Sequence, residues 1–327
     1  MQKSFLLYLL ATLTINNYVY SPFSEKQIIE IMSTIVKQIR NHILKNVYQI
    51  SFLQNQADRN YQAALEQHLP NLPVLSKADL NLVESIKREG VVVTSLEALS
   101  IPHTDKMFLA AQKLMPEIPK NLSGDDNEYV VHASPEQMMQ YPEIFMWGLE
   151  KRLLNIVENY IGLPVAYHGA YFRRDLANSI ERKSRLWHID VEDRKILKVI
   201  VYLNDINENC GPFQYIPLSL TSSVAHSLGY KHGYIQEKNL QKALSESSWK
   251  SCTGKAGTVV FATTSQVFHR GKVPVDQDRF TIFFDYTSRQ PQYPFYCKSS
   301  LPGEDLLSLA ANFSEQQRQC VFWRPSV

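Results

Sequence analysis

The chain has 327 residues, with 34 Lys and Arg against 32 Asp and Glu and a formal charge of +2. Apolar residues make up 44% and charged ones 20%, a globular balance that excludes a disordered chain, a collagen-like repeat and a polybasic nucleic-acid tail. Only 12 glycines stand beside 17 tyrosines and 15 phenylalanines. Neither GxGxxG nor GxxxxGK[ST] occurs, which counts against nucleotide-dependent kinases and Rossmann dehydrogenases.

In chain order, Lys3 and the apolar run Phe5–Leu10 resemble a weak signal peptide. Bulky Asn16-Asn17-Tyr18-Val19-Tyr20 follows where a small-x-small cleavage site is needed, so an N-terminal core helix is the preferred reading. No run of about 18 apolar residues predicts a transmembrane helix. Ser24 with Gln27 gives a capping-box-like start. Ile28, Ile31, Met32, Ile35, Val36 and Ile39 then recur at helical spacing. A second helix is expected over about Gln54 to Gln67, which makes residues 1–74 a helical extension packed on the core.

From Leu75 the texture changes. A helix over 79–88 leads through Gly90 into the β-branched strand Val91–Thr94. Pro142 to Ile161 reads as one amphipathic helix, ended by Gly162-Leu163-Pro164. Strands are expected at 165–174, 197–203, 213–216, 258–262 and 280–286, as in an antiparallel sandwich or barrel. The polar segment 219–256, with a helical piece near 238–250, is long enough to be a lid or an insertion. Residues 301–327 form a C-terminal tail or helix. Cys210, Cys252, Cys297 and Cys320 show no zinc-finger spacing. Four free thiols in a reducing cytoplasm are expected.

The chemistry concentrates in Trp187-His188-Ile189-Asp190. Alternate residues of a strand share a face, so His188 and Asp190 can address one point in space. An imidazole and a carboxylate suit Fe(II), and one further His would complete a facial triad with open positions. His269 follows the apolar run Thr258–Ala262, and Arg279 opens the strand Phe280–Tyr286. An inward-pointing Arg279 needs a carboxylate partner, which a dicarboxylate such as 2-oxoglutarate would supply. Taken singly, His269 reads as a loop histidine and Arg279 as a surface arginine.

The ordered set His188-x-Asp190, Lys198–Asp205, Gly211–Pro217, Gly257 with Val259-Val260-Phe261, His269 and Arg279 resembles the phytanoyl-CoA dioxygenase-like family of Fe(II)/2-oxoglutarate-dependent oxygenases. The resemblance covers roughly residues 75–295. It implies an α+β protein with a mainly β core: a double-stranded β-helix, or cupin-like jelly roll, spanning 75–300 and flanked by helices. It further implies that His188, Asp190 and His269 hold iron and that Arg279 binds the distal carboxylate of 2-oxoglutarate. The expected reaction is hydroxylation or another oxidation of a small organic substrate with O2, releasing succinate and CO2, with ascorbate stimulatory. Asp190 points to hydroxylation rather than halogenation, while desaturation, cyclisation and epoxidation stay open. A protein or peptide hydroxylase and a non-catalytic cupin-like binding protein are the alternatives. No nucleic-acid or membrane partner is expected.

One departure is that Pro217-Leu218-Ser219-Leu220 stands where relatives carry Gly-Ser-His. Period two sends Val199, Val201 and Leu203 toward the helices, while Lys198, Ile200 and Tyr202 face the barrel. Tyr202 is a candidate to hydrogen-bond the cosubstrate, a packed core tyrosine being the other reading. Tyr171 and Arg173 share a face with Asp175, which makes Tyr171 and Arg173 candidate cosubstrate contacts. Trp187 is expected to pack the rim. The run 173–198, with eight basic and five acidic residues, reads as a solvated face. His226 and His232 read as surface histidines.

Overall fold

The structure, a computed structural model, describes residues 36, 39–41, 51–120 and 128–324. The signal-like run and most of the helix expected from Ser24 lie outside the described residues. The chain divides into two units, 1–59 and 60–327. Tyr61, Ala64 and Leu65, from the end of helix α1 (Ser51–His68), pack against the main core.

Helix α2 (Lys77–Glu89) is capped by the Ser76 side chain, which accepts from the Asp79 amide, and closed by Gly90 in the left-handed region. Strand β1 (Val91–Ser95) follows, then α3 (Leu96–Leu99) and α4 (Thr104–Leu114). Beyond β2 (Val130–His132) and α5 (Pro135–Gln140), the helix expected over 142–161 is two helices, α6 (Pro142–Trp147) and α7 (Lys151–Ile161). Side chains of the sheet explain the break. A Cβ on Gly148 would lie 2.3 Å from the Tyr167 hydroxyl, and the Gly148 carbonyl accepts from Tyr286 Oη at 2.7 Å. Leu153, Leu154, Ile156 and Val157 of α7 are fully buried, each worth about 1.5–3 kcal/mol.

The remaining strands are β3 (Val165–Asp175), β4 (Leu197–Tyr202), β5 (Phe213–Tyr215), β6 (Lys250–Cys252), β7 (Thr258–Ala262), β8 (His269–Gly271) and β9 (Arg279–Ser288). One antiparallel sheet has the order β1-β7-β4-β9-β3-β2, the other β6-β5-β8. Backbone pairing of His188 with His269 extends the smaller sheet. The outer face of the large sheet, including Val199, Val201 and Phe284, meets the helices in the main core. The inner face, with Ile200, Tyr202 and Val260, joins Phe213 and Val267 in a second cluster between the sheets. Two sheets enclosing a lined interior, with helices on one side, make a double-stranded β-helix, the fold expected from the sequence.

The segment 219–256 holds α8 (Leu218–Ser227), which starts directly after Pro217, and the single turn α9 (Glu237–Leu240). The helical piece expected near 238–250 is confined to α9 and a 3-10 turn at Glu246–Ser248. Trp249 turns inward against Trp187 at 5.0 Å, and Lys250–Cys252 pairs with β5 as β6. Tertiary pairing overrides a helical propensity that the serines at 245, 247 and 248 already weaken. Helices α10 (Gly303–Leu309) and α11 (Glu315–Val321) close the chain.

Candidate metal centre and cosubstrate cavity

The pairing of His188 with His269 brings residues from distant parts of the chain side by side. Each backbone amide donates to the other's carbonyl, at 3.1 and 3.0 Å, and the rings lie 4.3 Å apart. Asp190 Oδ1 is 3.6 Å from His188 Nε2, and Oδ2 is 3.8 Å from His269 Nε2. One donor atom from each of the three lies within 4.8 Å of the others.

Two observations show that this set fits a divalent metal. The Nδ1 atom of His188 lies 2.8 Å from the Leu186 carbonyl, and that of His269 lies 3.1 Å from the Val267 carbonyl. Those acceptors fix the proton on Nδ1 and leave each Nε2 lone pair aimed at Asp190, the arrangement that supports metal-bound imidazoles. Asp190 Oδ2 is buried and has no well-directed hydrogen bond. Burial pushes both histidines down, His269 to about 3, so both rings are neutral ligands at neutral pH. For Asp190, burial favours the acid, but Lys198 together with His269 and His188 outweighs it and holds the carboxyl well below its ordinary range.

A cavity of about 180 Å³ between the sheets adjoins this centre. All seven residues singled out from sequence are at or beside it: His188, His269, Arg279, Tyr202, Arg173 and Tyr171 line it, and Asp190 contacts the two histidines. Their bonding differs from expectation at several positions. Arg279, only 2% exposed, already has a carboxylate partner: Asp175, opposite it across the β3–β9 ladder, at 3.0 Å. Its Nη1 donates to the Gly211 carbonyl. Glycine at 271 leaves the room, because a Cβ there would lie 2.6 Å from Arg279 Nη2. Arg173 also pairs with Asp175, at 2.5 Å. Two guanidinium groups, Arg279 buried and Arg173 half-buried, thus share one carboxylate, a net positive pocket that a second carboxylate would complement. Burial would raise the Asp175 carboxyl, yet Arg173 and Arg279 pull it down to about 2.

The Tyr202 hydroxyl is committed to the protein, donating to the Cys252 carbonyl at 2.7 Å and accepting from the Phe213 amide at 3.1 Å. It acts as a core tyrosine tying the two sheets together. Tyr171 Oη likewise donates to the Lys298 carbonyl at 2.8 Å.

Three groups escaped the sequence reading. Lys198 lies inside the barrel with Nζ 2.9 Å from Asp190 Oδ2. Its place on the Tyr202 face was legible, its partner was not. The Thr281 hydroxyl, two residues from Arg279 on the same face, lines the cavity and has no hydrogen-bond partner. Arg270, next to His269, lies over Trp187 and Trp249 at 4.8 and 5.4 Å and pairs with Glu237 at 2.6 Å. It clamps the 219–256 segment to the strand that carries His269, and Ile235 pairs with Trp187 beside the other histidine. Trp187, expected at the rim, is fully buried.

The solvated-face reading of 173–198 is corrected: Asp175, Arg185 and Asp193 are buried. Arg185 donates to the carbonyls of Tyr129, Leu176 and Ile180, shaping the loop before His188. His226 and His232 are exposed, as expected. All four cysteines are free. No helix among the described residues is long and apolar enough to cross a membrane.

No protein-family model matches the chain, and no curated protein sequence does. Solved structures similar in fold include HygX from Streptomyces hygroscopicus with nickel, 2-oxoglutarate and hygromycin B bound, at 14% identity and TM-score 0.43, covering 65% of this chain and 88% of that one. EctD from S. alaskensis with 2-oxoglutarate and 5-hydroxyectoine is 18% identical at TM-score 0.46, covering 68% and 84%. The non-heme alpha ketoglutarate dependent carbocyclase SnoK from nogalamycin biosynthesis is 15% identical at TM-score 0.45, covering 72% and 90%.

Proposed function

We propose that the chain is an Fe(II)- and 2-oxoglutarate-dependent oxygenase acting on a small organic molecule. The observation that carries the reading is the His188–Asp190–His269 cluster facing a cavity that ends at Arg279. Bound by the three residues, Fe(II) would couple oxidative decarboxylation of 2-oxoglutarate by O2 to oxidation of a substrate C–H bond.

The chain's own residues do the rest. The Leu186 and Val267 carbonyls hold the imidazole tautomers, and Lys198 fixes the Asp190 carboxylate. Arg279, with the unpartnered Thr281 hydroxyl beside it, takes the distal carboxylate of the cosubstrate, and Arg173 adds positive potential. Ile200, Phe213 and Phe283 supply apolar wall that limits water. At about 180 Å³, the cavity is below the roughly 300 Å³ at which drug-sized pockets begin. It suits a compact cosubstrate, with a small substrate alongside rather than a folded polypeptide. Residues 75–300 are the catalytic domain in this reading and 219–256 its cover. The free thiols and Fe(II) fit a reducing cytoplasm.

Titration of metal-stripped protein with Ni(II) tests the proposal. One equivalent binds to wild type, and binding is lost in His269→Ala while the circular dichroism spectrum is retained. Unaltered Ni(II) affinity in His269→Ala would refute it.

A further inference from the structure

The inward face of β9 runs from one cavity into another. Arg279, Thr281, Phe283 and Asp285 line the first in turn. Asp285 and Thr287 line a second chamber of about 290 Å³. At about 3.4 Å per residue, Asp285 is about 20 Å along the strand from Arg279. Tyr171, Lys198 and Asp285 belong to both cavities, and Lys198 is the residue that touches Asp190. The second chamber therefore lies toward the end of β9 away from Arg279 and meets the metal centre through Lys198, none of the three ligands lining it.

The chemistry of its wall is uneven. Asp285 Oδ1 is shut off from solvent and no donor reaches it. Its Oδ2 is 3.7 Å from Lys198 Nζ, an ammonium shared with Asp190 at 2.9 Å, so one positive charge serves two carboxyl groups. Glu192 adds a second carboxyl group, which burial pushes up to about 7, and Tyr171 and Tyr296 add aromatic surface. His168, also in the wall, is tied to the Thr287 hydroxyl at 2.7 Å, and Lys298 is exposed to solvent. A shielded carboxylate oxygen without a donor is unfavourable. An alcohol would satisfy its hydrogen bond and leave its charge; an ammonium would satisfy both, with cation–π attraction from the tyrosine rings.

We propose that this chamber is the substrate subsite and that it receives a protonated amine, held by Asp285 with Glu192 in support. The inference deepens the oxygenase reading and rests on it. The test compares benzylammonium, benzyl alcohol and benzoate, one frame with three charges, by calorimetric titration of protein loaded with Ni(II) and 2-oxoglutarate. Benzylammonium should bind at least tenfold more tightly than either of the others, and Asp285→Asn should reduce that preference below threefold. Equal affinities, tighter benzoate, or full preference in Asp285→Asn would overturn the assignment. Should Asp285→Asn fail to fold, the wild-type comparison decides alone, with Glu192→Gln expected to weaken benzylammonium only. Failure to bind Ni(II) and 2-oxoglutarate in the loading step would instead refute the oxygenase reading. The same three probes on metal-free protein would still judge the chamber.

Discussion

Replacing Asp175 by Asn removes the one carboxylate shared by Arg173 and Arg279, whose side chains are 12% and 2% exposed. Removing one partner of a buried ion pair costs about 3–5 kcal/mol, because the charge left behind has neither water nor a counterion. At a urea m-value of about 3 kcal/mol/M, that loss moves the unfolding midpoint down by about 1 to 2 M at pH 7. The dependence on pH has a definite sign. The folded carboxyl lies at about 2 against an ordinary 3.8, so the unfolded chain binds the proton first as pH falls. Its stabilising effect is fully present above about pH 4 and is lost as pH falls through about 2. Urea unfolding at pH 7 and pH 3 should therefore show a wild-type advantage over Asp175→Asn that shrinks at the lower pH. Added 2-oxoglutarate, supplying a new carboxylate to the two arginines, should raise the variant's midpoint more than the wild type's. An unchanged midpoint at pH 7 would refute the reasoning.

Tyr202→Phe leaves the Cys252 carbonyl and Phe213 amide without their side-chain partner, so it should lose about 1–3 kcal/mol of stability with the 2-oxoglutarate KM unaltered. A large KM effect would restore Tyr202 as a cosubstrate contact. Arg279→Gln should raise the 2-oxoglutarate KM about 10- to 100-fold, the range expected for a charge-assisted hydrogen bond; an unchanged KM would place the distal carboxylate elsewhere. Gly211→Ala meets a φ of +68 and a Cβ position 2.4 Å from the Lys272 carbonyl oxygen. It should cost at least about 1 kcal/mol and weaken 2-oxoglutarate through Arg279, as thermal melts with and without the cosubstrate would show.

What could be read from the sequence was whatever is local or periodic. Period two assigned Lys198, Ile200 and Tyr202 to the interior and Val199 and Val201 to the helices; the clustered strands implied an antiparallel sandwich or barrel, and the family resemblance chose the double-stranded β-helix. The H-x-D spacing marked His188 and Asp190 because alternate residues of an extended segment share a face; the structure pairs Trp187 and His188 only as isolated bridges. Long-range pairing was not readable. That Asp175 faces Arg279 depends on the β3–β9 register, and that Lys198 reaches Asp190 depends on how the loop before β4 folds back. The break at Gly148 depends on two tyrosines contributed by other strands. His188 and Asp190 stood out as an H-x-D spacing, whereas His269 as third ligand rested on the family resemblance; the partners of all three come from the tertiary fold.

The central claim is that His188, Asp190 and His269 form a working iron site coupled to 2-oxoglutarate. The most direct measurement is succinate release from 2-oxoglutarate with Fe(II), ascorbate and O2, comparing wild type with His188→Ala. Succinate should form with wild type, require added Fe(II), and fall to background in the variant. Equal succinate release by the two proteins, or none by a wild type shown to bind Fe(II), would contradict the account.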